Sequence, residues 1–340
     1  MKVFNKQGDT LEVNMRFAVE GDASNITNLI IKQHGGCYWS DMLTNIDFVR
    51  AAIKSGNMRI ALIELSNDCL AGTTGIKKFK GAIELNMLIV KPEYRGFAFG
   101  KLLYLFLVEK GIFENSASIY TRCMTLDTAS QRICLSMGHS FTGLILNYHR
   151  FDYNAEHLSG TPLPYKGSLV ISCLLNDKKD AGNIYAPLQH TAFIEEVYNE
   201  LSARFTLVGE KAVVEQERPP LSCCEIVFQE KQQYCEMIFT NIGLDAEKQI
   251  AGALEHCGKW DGGSLNIFVN LNDPACPALY YHLEKSGFVF TGIQPLTFAG
   301  EYMILYYAPG LRVDFERIIV TPEFSGKFAY IRALFGKAGI

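Results

Sequence analysis

The chain has 340 residues, 48% of them apolar, and its 32 basic and 36 acidic side chains give a formal net charge of −4. This length exceeds what one hydrophobic core usually serves and favours two domains. The charges form no basic block, and no apolar run approaches the roughly 20 residues of a membrane span, so neither nucleic acid nor a membrane is expected as a partner.

The first half alternates predicted strands and helices. In chain order these are strand 16–20, a helix from Asp22, helix 46–54, strands 58–64, 69–78 and 82–90, helix 100–113, strand 119–124, helix 129–137 and strand 141–151. Polar or glycine-containing breaks separate strands 58–64, 69–78 and 82–90, which is typical of antiparallel hairpins. Three antiparallel strands therefore precede a long helix.

The segment 153–167 contains Gly160, Pro162, Pro164 and Gly167 and is the best linker candidate. We therefore predict domains at 1–165 and 166–340, with completion of the first sheet by strand 168–174 as the open alternative. The second half repeats the plan of the first: helix 191–201, strands 222–229 and 234–242, helix 245–257, strand 264–269, helix 275–286 and strands 288–292 and 302–307. A final helix at 323–335 is expected to dock on its own domain.

A local match supports an internal repeat. In the first half a helix is followed by Gly138 and by a strand containing Phe-Thr-Gly, which ends at Gly143. In the second half a helix is followed by Gly287 and by a strand containing Phe-Thr-Gly, which ends at Gly292. The recurrence favours two copies of one fold over a single continuous domain.

The segment 88–103 carries the most chemical information. A strand ends at Pro92, a loop with the small residues Gly96, Ala98 and Gly100 follows, and a strongly apolar helix begins. Such a loop leaves backbone N–H groups pointing outward at the positive end of the helix dipole, which suits a phosphate or pyrophosphate. Arg95 or Lys101 would add positive charge.

Two common phosphate loops do not fit this segment. A Walker loop needs four residues between its glycines and Ser or Thr after the lysine, whereas Gly96 and Gly100 enclose three and Leu102 follows Lys101. A dinucleotide fingerprint needs a glycine at Ala98 or Phe99 and belongs on the first strand of a parallel unit. Both are rejected.

The segment resembles the acyl-CoA loop of the GCN5-related N-acetyltransferase (GNAT) family. The family pattern Arg/Gln-x-x-Gly/Ala-x-Gly/Ala is matched by Arg95, Ala98 and Gly100, and Val90, Pro92 and Tyr94 before it are also family-like. The resemblance implies an α+β fold class with a mixed, mostly antiparallel sheet flanked by helices, in two tandem copies. It also implies transfer of an acetyl or other short acyl group from acetyl-CoA to an amine.

The resemblance further implies a cofactor site. The pantetheine arm would lie between the fourth and fifth predicted strands, and a main-chain N–H near 88–90 would polarise the acyl carbonyl. The pyrophosphate would bind at 95–101, and Asp127 stands where the family often has an Asn that touches the cofactor arm. The expected cofactor-binding residues are Leu88, Ile89, Val90, Arg95, Gly96, Phe97, Ala98, Phe99, Gly100, Lys101 and Asp127.

Three residues are candidates for catalysis. Glu84 resembles the strand position from which several family members supply a catalytic carboxylate, although an exposed strand glutamate is the plainer interpretation. Asn86 has the same strand parity and would position substrate or water. The family's usual proton donor is a tyrosine four residues before the glycine at 138, and here that position is Cys134. Either Cys134 or water would protonate the leaving thiolate, although an inert buried thiol is the plainer interpretation of Cys134.

The second half lacks this loop. Between its strand and its helix stands only 243–248, with acidic residues and no Arg-x-x-small-x-small pattern, so no acyl-CoA is expected there. Packing against the first domain and recognition of a carrier or small ligand are the two roles left open.

The remaining expectations concern environment and partners. The polar start and ten scattered cysteines predict a cytoplasmic protein with reduced thiols and no metal. The acceptor is a small-molecule or peptide amine near Tyr38 and Trp39, and the protein is a monomer or a homodimer. The alternative is a non-catalytic acyl-CoA-binding sensor or scaffold.

Overall fold

The computed structural model describes residues 1–34, 38, 41–67, 69–79, 81–151, 164–176, 180–209, 218–297 and 300–338. Backbone contacts divide the chain into two compact units. The first holds residues 1–121, and the second holds the described parts of 122–151 and 160–340.

The first unit is a mostly antiparallel sheet flanked by helices. Its strands are β1 (Lys2–Phe4), β2 (Thr10–Phe17), β3 (Arg59–Leu65), β4 (Leu70–Phe79), β5 (Ala82–Val90) and the first part of β6 (Ser118–Met124), and its helices are α1 (Ala23–His34), α2 (Ile46–Ser55) and α3 (Phe99–Glu109). The strands lie in the order β1-β2-β3-β4-β5-β6, and only β5 and β6 pair in parallel. Asn45 caps α2 by accepting the N–H groups of Asp47 and Phe48, as an N-cap asparagine does.

The two faces of this sheet are distinguished by its register. Directly opposite residues on β3, β4 and β5 are Ile60, Gly75 and Asn86 in one row and Leu62, Thr73 and Ile89 in the next. Ile60 and Leu62 pack in one buried cluster with residues of α1 and α2. Because opposite residues share a face, Asn86 lies on the α1 and α2 side, and so does Glu84 two residues earlier.

The second unit has its own core. Its strands are the end of β6, β7 (Ser140–Phe151), β8 (Tyr165–Leu175), β9 (Asp180–Ile184), β10 (Arg204–Leu207), β11 (Cys223–Gln229), β12 (Tyr234–Asn241), β13 (Ser264–Asn270), β14 (Val289–Thr297) and β15 (Gly300–Tyr307). Its helices are α4 (Ala129–Ser136), α5 (Thr191–Glu200), α6 (Ala246–Cys257), α7 (Cys276–Lys285) and α8 (Ser325–Ala338). The main strands follow the order β8-β7-β14-β15-β13-β12-β11, and β9 and β10 pair separately. Ile331 and Phe335 of α8 are buried in the core of this unit.

The repeated Phe-Thr-Gly segments meet in the second unit. Gly143 of β7 pairs with Gly292 of β14. A Cβ on Gly292 would lie 2.3 Å from the Cα of Gly143, and Gly292 has a φ of +128°. The backbones approach so closely that only glycine fits at position 292, whereas a Cβ on Gly143 would be 3.0 Å from the nearest atom.

The mixed fold class predicted from the sequence is confirmed, with some differences in detail. The predicted first strand at 16–20 is instead β2, and β1 was not predicted. Residues 153–163 of the predicted linker lie outside the described residues, and β8 begins within the remaining part, at Tyr165. Strand 168–174 lies in β8, which pairs with β7 in the second unit, so the contact-based division at 121/122 differs from the predicted boundary at 165/166. Two functional domains stay a prediction.

Candidate active site

The loop between β5 and α3 has an open, strained backbone. A short 3-10 turn spans Pro92–Tyr94, and beyond it Gly96 has a φ of +94° and Ala98 a φ of +57°. A left-handed alanine is uncommon, and Ala98 is the residue from which α3 starts. A Cβ on Gly96 would meet no atom within 4 Å. Left-handed residues among right-handed ones turn successive N–H groups toward one side and form an anion-binding concavity.

The N–H groups of this concavity have no acceptor among the described residues. The N–H of Arg95 donates to the carbonyl of Pro92, and that of Leu102 donates to the carbonyl of Ala98. Between them, the N–H groups of residues 96–101 donate to no oxygen that the structure describes. Arg95, Gly96, Ala98 and Lys101 are exposed, so solvent or a ligand reaches the loop. Unpaired donors at a helix start attract a phosphate group.

The side chains of Phe97 and Phe99 hold the loop to the body of the unit. They are 7% and 1% exposed, and their ring centroids lie 5.8 Å apart. Neither Arg95 nor Lys101 forms an ion pair within the described ranges, so both cations remain available to an anion.

The strand before the loop is interrupted by a bulge. Thr73 opposes Ile89 and Gly75 opposes Asn86, so β5 has one residue more than β4 between these pairs. Met87 lies in this extra turn with a φ of +53°. The pairing of β5 with β6 covers only Ala82 to Leu85. The bulge therefore redirects the backbone just before Leu88, Ile89 and Val90, the segment expected to bind the cofactor arm. Leu88 is exposed, Ile89 buried and Val90 partly buried.

Glu84 and Asn86 lie on the helix-covered face that bears α1 and α2, and both are partly buried. The side-chain oxygen Oδ1 of Asn86 is buried and accepts no hydrogen bond from a described residue. It lies over Gly75, where an added Cβ would be 2.4 Å from it. Gly75 thus provides the space for the Asn86 amide.

An aromatic pair belongs to the same face. The rings of His34 and Tyr38 lie 4.9 Å apart, and Tyr38 packs in the cluster that contains Met87 and Ile89. Burial lowers the pKa of His34 to about 4, so the ring is neutral at pH 7. Trp39, which was expected to line the same acceptor site, lies outside the described residues.

The other predicted site residues belong to the second unit. Asp127 is exposed, and its carboxylate accepts the N–H of Ala129 at 2.8 Å, which caps the start of α4. Cys134 is 5% exposed and belongs to the core, with its Sγ 3.6 Å from that of Cys123. Cys134 therefore has the environment of a packed thiol. Its role as a proton donor stays a prediction.

The corresponding loop of the second half is closed by its own hydrogen bonds. The N–H groups of Ile242, Gly243 and Leu244 donate to Asp273, Ser222 and Pro219 at 2.7, 2.9 and 2.9 Å. The carboxylate of Asp245 stands at the start of α6. Hydrogen bonds from Gln249 and Ser222 lower its pKa and keep it ionised. This helix start already has an anion.

The second half also retains a glutamate at the register position of Glu84. Glu84 is the third residue of β5 and pairs with Tyr120, the third residue of β6, whereas Glu236 is the third residue of β12 and pairs with Asn266 of β13. Glu236 forms an ion pair with Arg122 at 3.2 Å and accepts the hydroxyl of Tyr234 at 2.9 Å.

Solved structures that are similar to about half of this chain include acetyltransferases. A putative acetyltransferase from Salmonella typhimurium with its cofactor acetyl-CoA aligns at 17% identity over 49% of this chain and 95% of that chain, with a TM-score of 0.40. The ribosomal-protein-S5-alanine acetyltransferase from Vibrio fischeri aligns at 14% identity over 49% and 94%, with a TM-score of 0.39. A GNAT-family acetyltransferase from Streptococcus pneumoniae aligns at 13% identity over 48% and 100%, with a TM-score of 0.40.

The structural neighbours of this chain are GNAT acetyltransferases, each matching about half of it. Neither a protein-family model nor a curated protein sequence matches the chain. At such low identity the likeness does not extend to a substrate, and the functional case depends on the residues above.

Sequence reasoning missed Gly75 and Met87. The glycine had a readable signal, because an isolated glycine within a strand often marks a close approach of another group. Met87 had none, since methionine carries no preference for a positive φ. Within the described residues no group of histidine, cysteine or acidic side chains has the arrangement of a metal site, and no helix is long and apolar enough to cross a bilayer.

Proposed function

We propose that this chain is a cytoplasmic N-acyltransferase that transfers an acetyl or other short acyl group from acetyl-CoA to a small-molecule or peptide amine. The observation that carries the proposal is the row of N–H groups at 96–101, which have no acceptor among the described residues and stand at an exposed helix start. In this proposal the first half is the catalytic domain, and the second half is a degenerate copy of the same fold.

The loop has the donors that a diphosphate requires. The N–H groups of residues 96–101 would hold its oxygens, and Arg95 and Lys101 would offset its charge. The main chain at 88–90, just after the bulge, would hold the pantetheine arm. Because Gly96 and Ala98 have small side chains, the backbone can approach the ligand closely.

Acetyl-CoA supplies an activated thioester, and the chain's residues place and deprotonate the amine. Glu84 accepts a proton from the amine, directly or through water, which frees the nitrogen lone pair to form the new C–N bond. An N–H at 88–90 donates to the carbonyl oxygen as its negative charge grows. The C–S bond breaks, and the leaving thiolate takes a proton from water.

Asn86 has a specific part in this scheme. Its buried Oδ1 has no donor among the described residues, and a buried acceptor without a donor is costly. An N–H of the incoming amine, or of the water that relays its proton, would satisfy this oxygen. Asn86 would thereby orient the amine on the same face as Glu84.

The test measures binding and turnover separately. Acetyl-CoA binding is first followed by thermal shift for the wild-type chain and for the Arg95→Glu/Gly100→Glu variant. Stabilisation of the wild type and none of the variant is expected. Equal stabilisation of both would remove the site from this loop.

Turnover then separates the enzyme from the sensor or scaffold. Release of free thiol is followed with acetyl-CoA and a library of small amines and peptide N-termini. Thiol release that depends on one class of amine supports the enzyme and names its acceptor. Tight acetyl-CoA binding with no turnover across the library supports the sensor instead.

A further inference from the structure

β11 is the outermost strand of the second unit. It is the last strand in the sheet order and pairs with β12 along one side, and within the described residues no strand pairs with its other side. Ile226, Val227 and Phe228 are 37%, 37% and 38% exposed. Consecutive strand residues point to opposite faces, so both faces at this edge expose apolar surface.

This edge lacks the features by which monomeric proteins block pairing. Protected edge strands are very short, carry lysine or proline, or are bulged in the middle. β1, the outermost strand of the first unit, has 3 residues and begins with Lys2. β11 has 7 residues, Glu225 is its one charged residue, and its register shift lies at its first residue, Cys223. Among the described strands, none pairs with the outer backbone donors and acceptors of β11.

Exposed leucines extend the apolar surface beside the strand. Leu221 is 72% exposed and precedes β11, and Leu244 is 67% exposed in the loop before α6. The two are close in space, because the backbone of Leu221 lies 2.4 Å from where a Cβ of Gly243 would stand. We call β11 together with Leu221 and Leu244 the β11 edge.

We propose that the β11 edge binds a second copy of this chain by antiparallel pairing of β11 with β11 about a two-fold axis at Ile226. This homodimer does not depend on the acyltransferase proposal. Ile226 is the central residue of Cys223–Gln229, so a two-fold axis there overlaps the whole strand with itself. Such a self-complementary contact is the commonest way in which soluble chains form dimers.

The charges favour this register. With the axis at Ile226, Glu225 stands opposite Val227 of the second copy, and Cys224 stands opposite Phe228 of the second copy. The two Glu225 carboxylates therefore do not face each other, and each Ile226 meets its own copy. Like charges directly opposite would be destabilising, and none occurs here.

The first experiment measures mass in solution. Size-exclusion chromatography with light scattering is run over a dilution series on wild type, Ile226→Lys and Val108→Lys. Val108 is 48% exposed on α3, so the control makes the same kind of change on another surface. Wild type and Val108→Lys should have the mass of two chains. Ile226→Lys should weaken dimerisation by at least about 100-fold, because two lysines would meet at the axis.

Two outcomes of this experiment would overturn the proposal. One is a wild-type chain that stays monomeric at every concentration. That result would be expected if the β11 edge binds a strand of a different protein. The other is an Ile226→Lys variant that dimerises as well as wild type. Circular dichroism of the variant establishes that a loss of dimer is not a loss of fold.

The second experiment tests the register. Residues directly opposite in antiparallel strands have Cα atoms about 4.5–5.5 Å apart, within reach of a disulfide. Ile226→Cys should therefore form a disulfide-linked dimer under mild oxidation. The native Cys223 residues would lie roughly 20 Å apart, because six residue steps separate them along the paired strands. Equal crosslinking of wild type would contradict the axis at Ile226.

Discussion

Two loops at corresponding places in the halves of this chain differ in the backbone donors that precede their helices. Before α3, the N–H groups at 96–101 have no acceptor among the described residues. Before α6, successive N–H groups donate to Asp273, Ser222 and Pro219, and Asp245 adds a carboxylate. A strand followed by a helix is thus not enough for an anion site. The loop must also leave its donors without internal partners.

The corresponding glutamates differ in the same direction. Glu236 is bound to Arg122 and Tyr234, and the side chains of the ion pair are 10% and 13% exposed. The β12 and β13 pairing that surrounds Glu236 continues from Tyr234 to Phe239, whereas that of β5 and β6 stops at Leu85. In the second half a polar strand position is used for stability. We propose that the same position in the first half is used for chemistry.

The largest expected effect comes from exchanging these glutamates for glutamine. Glu84→Gln should lower kcat by about 10²–10⁴-fold while leaving acetyl-CoA binding unchanged, because a general base is lost and the loop is not touched. Glu236→Gln should keep kcat but lower the free energy of unfolding by about 1–3 kcal/mol, because the charge-assisted hydrogen bonds to Arg122 become neutral ones. Kinetics and urea unfolding of both variants check the pair. A similar loss of kcat in both would contradict the division of roles.

The two loops can be compared by adding one carboxylate to each. Lys101→Glu should weaken acetyl-CoA binding by at least about 100-fold, because this exposed side chain would bring a negative charge beside donors that we propose bind a diphosphate. Leu244→Glu is the matched change in the second loop, at a side chain that is 67% exposed, and should leave binding unchanged. Isothermal titration measures both. Weakened binding in Leu244→Glu would place the nucleotide in the second half.

The contact between the repeated segments gives a smaller effect, on stability alone. Gly292→Ala should lower the free energy of unfolding by about 3 kcal/mol, because alanine is strained at a φ of +128° and its Cβ would overlap Gly143. Gly143→Ala should cost less, since its Cβ would be 3.0 Å from the nearest atom and its φ is not positive. Urea unfolding ranks the two. The reverse order would contradict the described contact.

The smallest expected effect is a decrease in the free energy of unfolding at acidic pH. Burial lowers the pKa of His139 from 6.5 to about 4, so the unfolded chain binds this proton more tightly than the folded chain. Its contribution to stability is complete above about pH 6.5 and is lost as the pH falls toward 4. Between pH 6.5 and 5 the loss should approach about 2 kcal/mol. Unfolding of His139→Gln over the same range should have a flatter profile, and an identical profile would exclude His139 as the cause.

The sequence predicted the elements around the loop because their signals are local. The small residues Gly96, Ala98 and Gly100 before an apolar run predicted a loop followed by a helix. The polar or glycine-containing breaks between the strands predicted three antiparallel strands. Those features depend on residues that are close together in the chain. The helix predicted to begin at residue 100 therefore lies within one residue of the observed start of α3, at Phe99.

The features that remained hidden depend on residues far apart in sequence. The ion pair between Arg122 and Glu236 joins residues 114 positions apart, and nothing near either residue indicates the other. The sequence favoured an inert buried thiol at Cys134 but did not indicate that Cys123 faces it. The division of the chain at 121/122 follows from the pairing of β7 with β8 and β14. The amino-acid composition of a linker does not predict such pairing.

The meeting of Gly143 and Gly292 limits how far β7 and β14 can move apart. A side chain at position 292 would press on two backbone atoms at once, because its Cβ would lie 2.3 Å from the Cα of Gly143 and 2.6 Å from the carbonyl oxygen of Thr142. Each strand is also paired on its other side, β7 with β8 and β14 with β15, so neither can withdraw alone. The spacing of the two strands is therefore set by a missing side chain and not by an attractive contact.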